Sequence, residues 1–285
     1  MSNFQYHRPT SLSEAFRIHG DVPDARFVAG GTDVLSHVRD RSLRPPALIS
    51  LRRVRELDGI RVTADGATNI GGLTRVADLT SHAALAARLP ALVQAARRLG
   101  SVQIRNVATV GGNLCNASPC ADLAPPLLVY DARVRIEGPR AARELPLEEF
   151  FVGNRMTRLD PTEVLVAVVI DAPHAGTVSR FDKIVRVRMD IALTSSAVLL
   201  RVESGRIAHA GIAMGSVGPR PMRLRGVESF LVGRAADETT AREAGVIASA
   251  EVTPIDDVRA TAAYRRHAAA VLVERAVRDL AGGAA

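Results

Sequence analysis

Tryptophan is absent from this 285-residue chain, aromatic residues make up 4% of it, and there are two cysteines and a single lysine, Lys183. So few aromatics leave no stacking platform for single-stranded nucleic acid. The net charge of +7 invites a polyanion, but the arginines are scattered, with only short clusters such as Arg52-Arg53-Val54-Arg55 and Arg97-Arg98. No nucleic-acid partner is expected. Cys115 and Cys120 are too few for a disulfide framework, for structural zinc or for an iron–sulfur cluster. With no basic, apolar leader at the start, a reduced, cytoplasmic setting is expected. No apolar run approaches the roughly 20 residues of a membrane span; EVLVAVVI (163–170) has the length of a strand.

Several motifs are also missing. No G-x-G-x-x-G follows a strand, which argues against a Rossmann NAD site, and no G-K-[ST] marks a P-loop. H-E-x-x-H and G-x-S-x-G are absent, so neither a zinc protease nor a hydrolase nucleophile is indicated. Gly211, Gly215 and Gly218 are spaced too widely for a dinucleotide fingerprint and read as turns.

What is present describes an α+β chain. At this length, with 47% hydrophobic residues, two domains are expected. Ser11 and Glu14 form a capping box before a first helix. A β run at 25–29 ends at Gly30-Gly31, and Thr32-Asp33 then opens a helix. A second β run spans 47–51, a hairpin turns at Asp65-Gly66, and helices cover 75–82 and 90–99. Strands follow at 133–137 and 163–170. Around Pro173–Gly176 the texture changes. Beyond it, 179–188, 194–202 and 206–214 read as an antiparallel meander, and 238–250 and 260–280 as helices. The boundary divides the chain into 1–175 and 176–285.

Two strand-turn-helix glycine pairs stand out, AGGTDV (29–34) and TVGGN (109–113). A glycine pair lets the backbone approach a ligand and turn its N–H groups toward a phosphate. Two such loops suit a ligand with two phosphates. Asp122 reads equally as a loop-bracing carboxylate or as an acceptor for a ligand hydroxyl. Cys115 reads as a packing residue beside the loop, and Lys183 as a strand-edge charge or a site residue.

The chain resembles the FAD-binding medium subunit of the molybdenum hydroxylases, the carbon monoxide and xanthine dehydrogenase group. The resemblance runs from Tyr6-His7-Arg8-Pro9 through AGGTDV and IGGLT (70–74) to GSVQIRNVATVGGNLCNASPCADLAP (100–125). It continues in Glu149-Phe150-Phe151, Asp190-Ile191-Ala192, GPRP (218–221) and AYRR (263–266). It implies a two-subdomain FAD-binding domain of the vanillyl-alcohol oxidase and xanthine dehydrogenase flavin type. A C-terminal domain with a three-stranded antiparallel sheet and helices would cover or dock onto it. By resemblance, Val28, Ala29, Gly30, Gly31, Thr32, Asp33 and Val34 form the first diphosphate loop, and Thr109, Val110, Gly111, Gly112 and Asn113 the second. Asp122 would contact the adenosine part, Leu99 and Leu159 would be apolar neighbours, and Lys183 would lie near the flavin ring. With no His after Gly31, FAD is expected to be held non-covalently.

The resemblance further implies an oxidoreductase subunit without a catalytic acid or base of its own. Electrons would leave a substrate at a molybdenum-cofactor large subunit, pass [2Fe–2S] clusters in a small subunit, and reach NAD or another acceptor through FAD here. The alternative is a self-sufficient flavin oxidoreductase that binds its own substrate.

Overall fold

The computed structural model describes residues 4–283. The chain begins with β1 (Gln5–His7), α1 (Leu12–Asp21), β2 (Arg26–Val28), α2 (Val34–Arg39) and β3 (Ala47–Ser50). The strands form a parallel sheet in the order β1-β3-β2. β3 is buried at every position, as a central parallel strand covered on both faces must be. Ser11 caps α1 by accepting the Glu14 N–H. The Glu14 carboxylate accepts from the Thr10 N–H at 2.8 Å, one residue earlier than a reciprocal capping box requires.

The second unit starts with the hairpin β4 (Ile60–Val62) and β5 (Thr68–Gly71). Six helices follow: α3 (Val76–Ser81), α4 (Ala83–Arg88), α5 (Pro90–Arg98), α6 (Val102–Arg105), α7 (Val110–Cys115) and α8 (Ala124–Val129). It closes with β6 (Arg133–Glu137), β7 (Ala142–Pro146), α9 (Leu147–Phe150), β8 (Phe151–Gly153), β9 (Met156–Thr157) and β10 (Val164–Ile170). Five of these strands make an antiparallel sheet, β4-β5-β10-β6-β7. β10 lies at its centre with both faces covered. Val164 and Val166 pack on α1 and β3, while Leu165 and Val168 face the helices. That two-sided burial is why the strand reads as an unbroken apolar run.

The third unit is a meander, β11 (Thr177–Ile184), β12 (Thr194–Glu203), β13 (Arg206–Gly215) and β14 (Met222–Arg223), with α10 (Arg225–Leu231), α11 (Glu238–Glu251) and α12 (Ala262–Gly282). The sheet therefore has four strands, the two-residue β14 adding to the three expected. The β11–β12 connection also begins earlier than expected. Val185-Arg186-Val187-Arg188 alternates like a strand, but Arg186 pairs with Asp190 at 3.2 Å and the Asp190 N–H donates to Val187 O, which closes a turn. At Ser204-Gly205 both φ values are positive, 49° and 75°, the hairpin turn that matches strand twist. Val198, Leu200, Ile207 and Ile212 pack under the three helices, whereas Phe181, Ala197, Leu199 and Ala213 join the core of the second unit. The meander is thus buried on both faces, and one face is shared with the rest of the molecule.

Candidate cofactor site

The first glycine loop leaves the buried end of β2 at Val28 and reaches α2 within a few residues. A side chain on Gly30 would collide with the Val107 carbonyl, and Gly31 has φ of 80°, so both positions require glycine. The Leu35 N–H donates to Gly31 O and the His37 N–H to Asp33 O, starting the helix. The N–H groups of Gly30, Gly31, Thr32, Asp33 and Val34 donate to no other described residue. Backbone donors in such a row seek acceptors, and a concave run of them suits an anion.

The second loop is built differently. Thr109 caps α7, its Oγ1 accepting the Gly112 N–H at 3.1 Å. The Val110 N–H donates to Thr74 O at 3.0 Å, the Gly111 N–H to Gly72 O at 2.8 Å and the Asn113 N–H to Thr109 O at 3.0 Å. Four of the five amides expected to face a diphosphate here are engaged within the chain, on the IGGLT segment and the cap, and the Thr109 N–H donates to no described residue. Most free donors of the two-loop arrangement therefore belong to the first loop. Asn113 Oδ1, by contrast, is buried without a partner. The loops touch: Asn116 Nδ2 donates to Asp33 Oδ1 at 3.1 Å, and a Cβ on Gly112 would sit 3.9 Å from Ala29 Cβ. Gly72, Thr74 and Asn116 thus shape the site, although the sequence alone assigns them no role in it. All three lie inside the segments 70–74 and 100–125, and only three-dimensional contact distinguishes them from their neighbours.

Asp122 and Lys183, expected at opposite parts of the cofactor, are bonded to each other, with Lys183 Nζ donating to Asp122 Oδ2 at 2.8 Å. Two groups in direct contact cannot serve both the adenosine and the ring end of an extended dinucleotide. The Lys183 side chain is 2% exposed and also donates to Arg98 O at 3.4 Å. β11 is an edge strand, yet Lys183 is enclosed and is no surface charge. Asp122 Oδ1 is buried and unpartnered. Burial pushes the Asp122 carboxyl up to about 6, opposed by the Lys183 ammonium and, more weakly, by Arg98. Leu99 is buried at the end of α5, and the half-buried Leu159 packs against the same core. Burial pushes the Cys115 thiol up to about 12, which leaves it an unreactive packing group in α7.

Among the described residues no group of three or more His, Cys, Asp or Glu could hold a metal ion. A cavity of about 560 Å³ lies on the far side of the five-stranded sheet, lined by Leu12, Glu56, Arg61, Asn69, Arg135 and Glu137 among others, and includes no expected site residue. The joined loops and the Asp122 segment carry unmet hydrogen-bonding capacity, as do buried groups elsewhere such as the Ser195 and Ser196 hydroxyls. The five free amides of the first loop call for a ligand with anionic acceptors, and Asn113 Oδ1 and Asp122 Oδ1 call for ligand donors. A diphosphate carrying hydroxyl and amino groups, as in FAD, meets both demands.

Residues 2–173 match the family model for the FAD binding domain in molybdopterin dehydrogenase, and residues 179–280 that for the CO dehydrogenase flavoprotein C-terminal domain. The carbon monoxide dehydrogenase medium chain of Hydrogenophaga pseudoflava is 34% identical over 276 residues, covering 96% of each chain. The xanthine dehydrogenase FAD-binding subunit of Escherichia coli O157:H7 is 31% identical over 282 residues, 98% of this chain and 96% of that one. Among solved structures, the carbon monoxide dehydrogenase of Hydrogenophaga pseudoflava lacking the Mo-pyranopterin moiety superposes with a TM-score of 0.95 at 34% identity, covering 99% of this chain and 98% of that one. Quinoline 2-oxidoreductase from Pseudomonas putida 86 gives 0.93 at 30% identity with the same coverage.

Proposed function

The chain belongs to the FAD-binding subunits of the carbon monoxide and xanthine dehydrogenase type, and on that premise we propose that it is the flavoprotein component of a heteromeric molybdenum hydroxylase, holding FAD without a covalent bond. The observation that carries the assignment of the site is the row of free amides from Gly30 to Val34, braced against α7. These amides receive the diphosphate. Asn113 Oδ1 and Asp122 Oδ1 accept from the hydroxyl or amino groups of the same ligand. Thr109, Val110, Gly111 and Gly112 hold the start of α7 against the first loop. Leu99 and Leu159 supply apolar wall.

When bound, FAD supplies the redox chemistry, taking electrons from partner [2Fe–2S] clusters and releasing them to NAD or another acceptor. The partners are a molybdenum-cofactor large subunit, where the organic substrate is oxidised, and a small [2Fe–2S] subunit. Val187, Met189 and Ile191, exposed by 61%, 62% and 45% on the loop after β11, suit burial in such a complex. A cytoplasmic location fits the two free cysteines. Among the described residues no helix is long and apolar enough to cross a membrane. The alternative, an oxidoreductase binding its own substrate, calls for titratable groups converging over the ring. The buried charges of the third unit are instead engaged in structural bonds: Arg223 with Asp131 and Glu228, Arg265 with Asp257.

Titrating FAD into the FAD-depleted chain, with flavin fluorescence as readout, tests the assignment. Gly31→Ala strains the left-handed backbone of the first loop, so binding should weaken about tenfold, the equivalent of ~1–2 kcal/mol. An unchanged affinity in a folded variant would move the diphosphate away from this loop.

A further inference from the structure

The loop Ala117–Asp122 joins α7 to α8, yet much of its anchoring comes from the third unit. The Ser216 N–H donates to Pro119 O at 2.7 Å, and Lys183 Nζ to Asp122 Oδ2 at 2.8 Å. Gly215 makes the approach possible: a Cβ there would lie 2.7 Å from Ser195 Oγ and 3.2 Å from Pro119 O. Ser216, at φ of 63°, is itself fixed. Its Oγ donates to Ala192 O at 3.0 Å, and the buried Arg265 donates to Ser216 O at 3.1 Å and to Leu193 O. Ser195, paired across the sheet with Lys183, has a buried hydroxyl without a partner, as has the free oxygen of Asp122.

We propose that the C-terminal sheet is a positioning device for the cofactor site: Lys183 and the Gly215–Ser216 corner hold loop 117–122 where Asp122 Oδ1 stands as a free acceptor, so FAD affinity and docking of the sheet are linked. Lys183 is then a positioning residue that acts through Asp122, since its ammonium is already bonded to Asp122 Oδ2 and Arg98 O. The linkage is reciprocal: whatever docking adds to FAD affinity, FAD returns to docking. The inference rests on the reading above that FAD is held at these loops.

Three measurements on the full-length chain test it: FAD affinity by fluorescence titration, the pH profile of that affinity, and protease cleavage in segment 171–178 with and without FAD. Lys183→Met and Gly215→Val should each weaken FAD binding about tenfold or more and abolish the protection that FAD gives the segment in the wild type. Gly215→Ala, whose Cβ mainly displaces the rotatable Ser195 hydroxyl, should do the same to a smaller degree and is the variant to use if valine unfolds the chain. The charged groups facing Asp122 are Lys183 from β11 and Arg98 from α5. Affinity should therefore fall as pH drops through about 6 in the wild type, and Lys183→Met should move that midpoint upward, a shift that a merely structural role would not produce. Folded variants with wild-type affinity and an unmoved midpoint overturn the inference. A wild type that binds no FAD overturns the functional reading itself.

Discussion

Asp122 is a carboxylate kept where ionisation costs stability. Its carboxyl rises from an ordinary 3.8 to about 6 because burial outweighs the help of Lys183 and Arg98. A raised acid holds its proton more tightly folded than unfolded, so the stability linked to that proton is fully present below about 3.8 and is lost as pH rises through about 6. The full loss amounts to about 3 kcal/mol. Denaturant unfolding of the FAD-depleted chain between about pH 3.5 and 7 should show the wild type losing about that much relative to Asp122→Asn. Parallel stability curves for the two proteins would mean that the group is not desolvated. A chain that retains a group against its own stability does so for a function, and the unpartnered Oδ1 indicates which atom performs it.

At the level of elements, the two glycines of the second loop differ in what they require. A Cβ on Gly111 would lie 2.7 Å from Gly72 O and 3.1 Å from Gly72 Cα, against the backbone that accepts its own N–H. A Cβ on Gly112 would meet Thr109 Oγ1 at 3.0 Å and otherwise only Ala29 Cβ. Gly111→Ala should cost about 2 kcal/mol through overpacking, whereas Gly112→Ala should be nearly neutral because helix propensity offsets the small shift. Thermal unfolding of the two variants separates them. The expected positions of α1, α5, the β4–β5 hairpin, β12 and the last two helices agree with the fold because caps, proline at a helix start and paired turn residues act over a few neighbours. The site was legible as a list of residues and much less as a set of contacts. That Thr74 and Gly72 take the α7 amides, and that Lys183 meets Asp122 across 61 positions, depends on how distant segments pack. The two-residue β14 carries too little pattern to be read, and the alternating Val185–Arg188 gave way to an Arg186–Asp190 pair.

On the scale of the whole molecule, several of the arginines behind the +7 charge stitch the second and third units together. Arg220 donates to Glu148 O and Phe151 O at 2.9 Å each, Arg223 to Leu128 O and Asp131 at 2.7 Å, and Arg225 pairs with Glu148. Phe181 N–H reaches Gln94 Oε1 at 2.8 Å, and Tyr130 and Ser179 share a buried hydroxyl contact beside the Ala91 N–H. With Phe181, Ala197, Leu199 and Ala213 built into the core of the second unit, opening this seam exposes apolar surface and leaves buried polar groups unpaired at once. The third unit keeps its helix-covered core when separated, but both sides lose the face they share. Calorimetry should therefore record one cooperative transition for the full chain. FAD at a hundredfold excess over its dissociation constant should raise it by ~2.7 kcal/mol, about 5–10 °C for a chain of this size. Two transitions, or a shift confined to one of them, would mean that the sheet unfolds independently of the loops it holds.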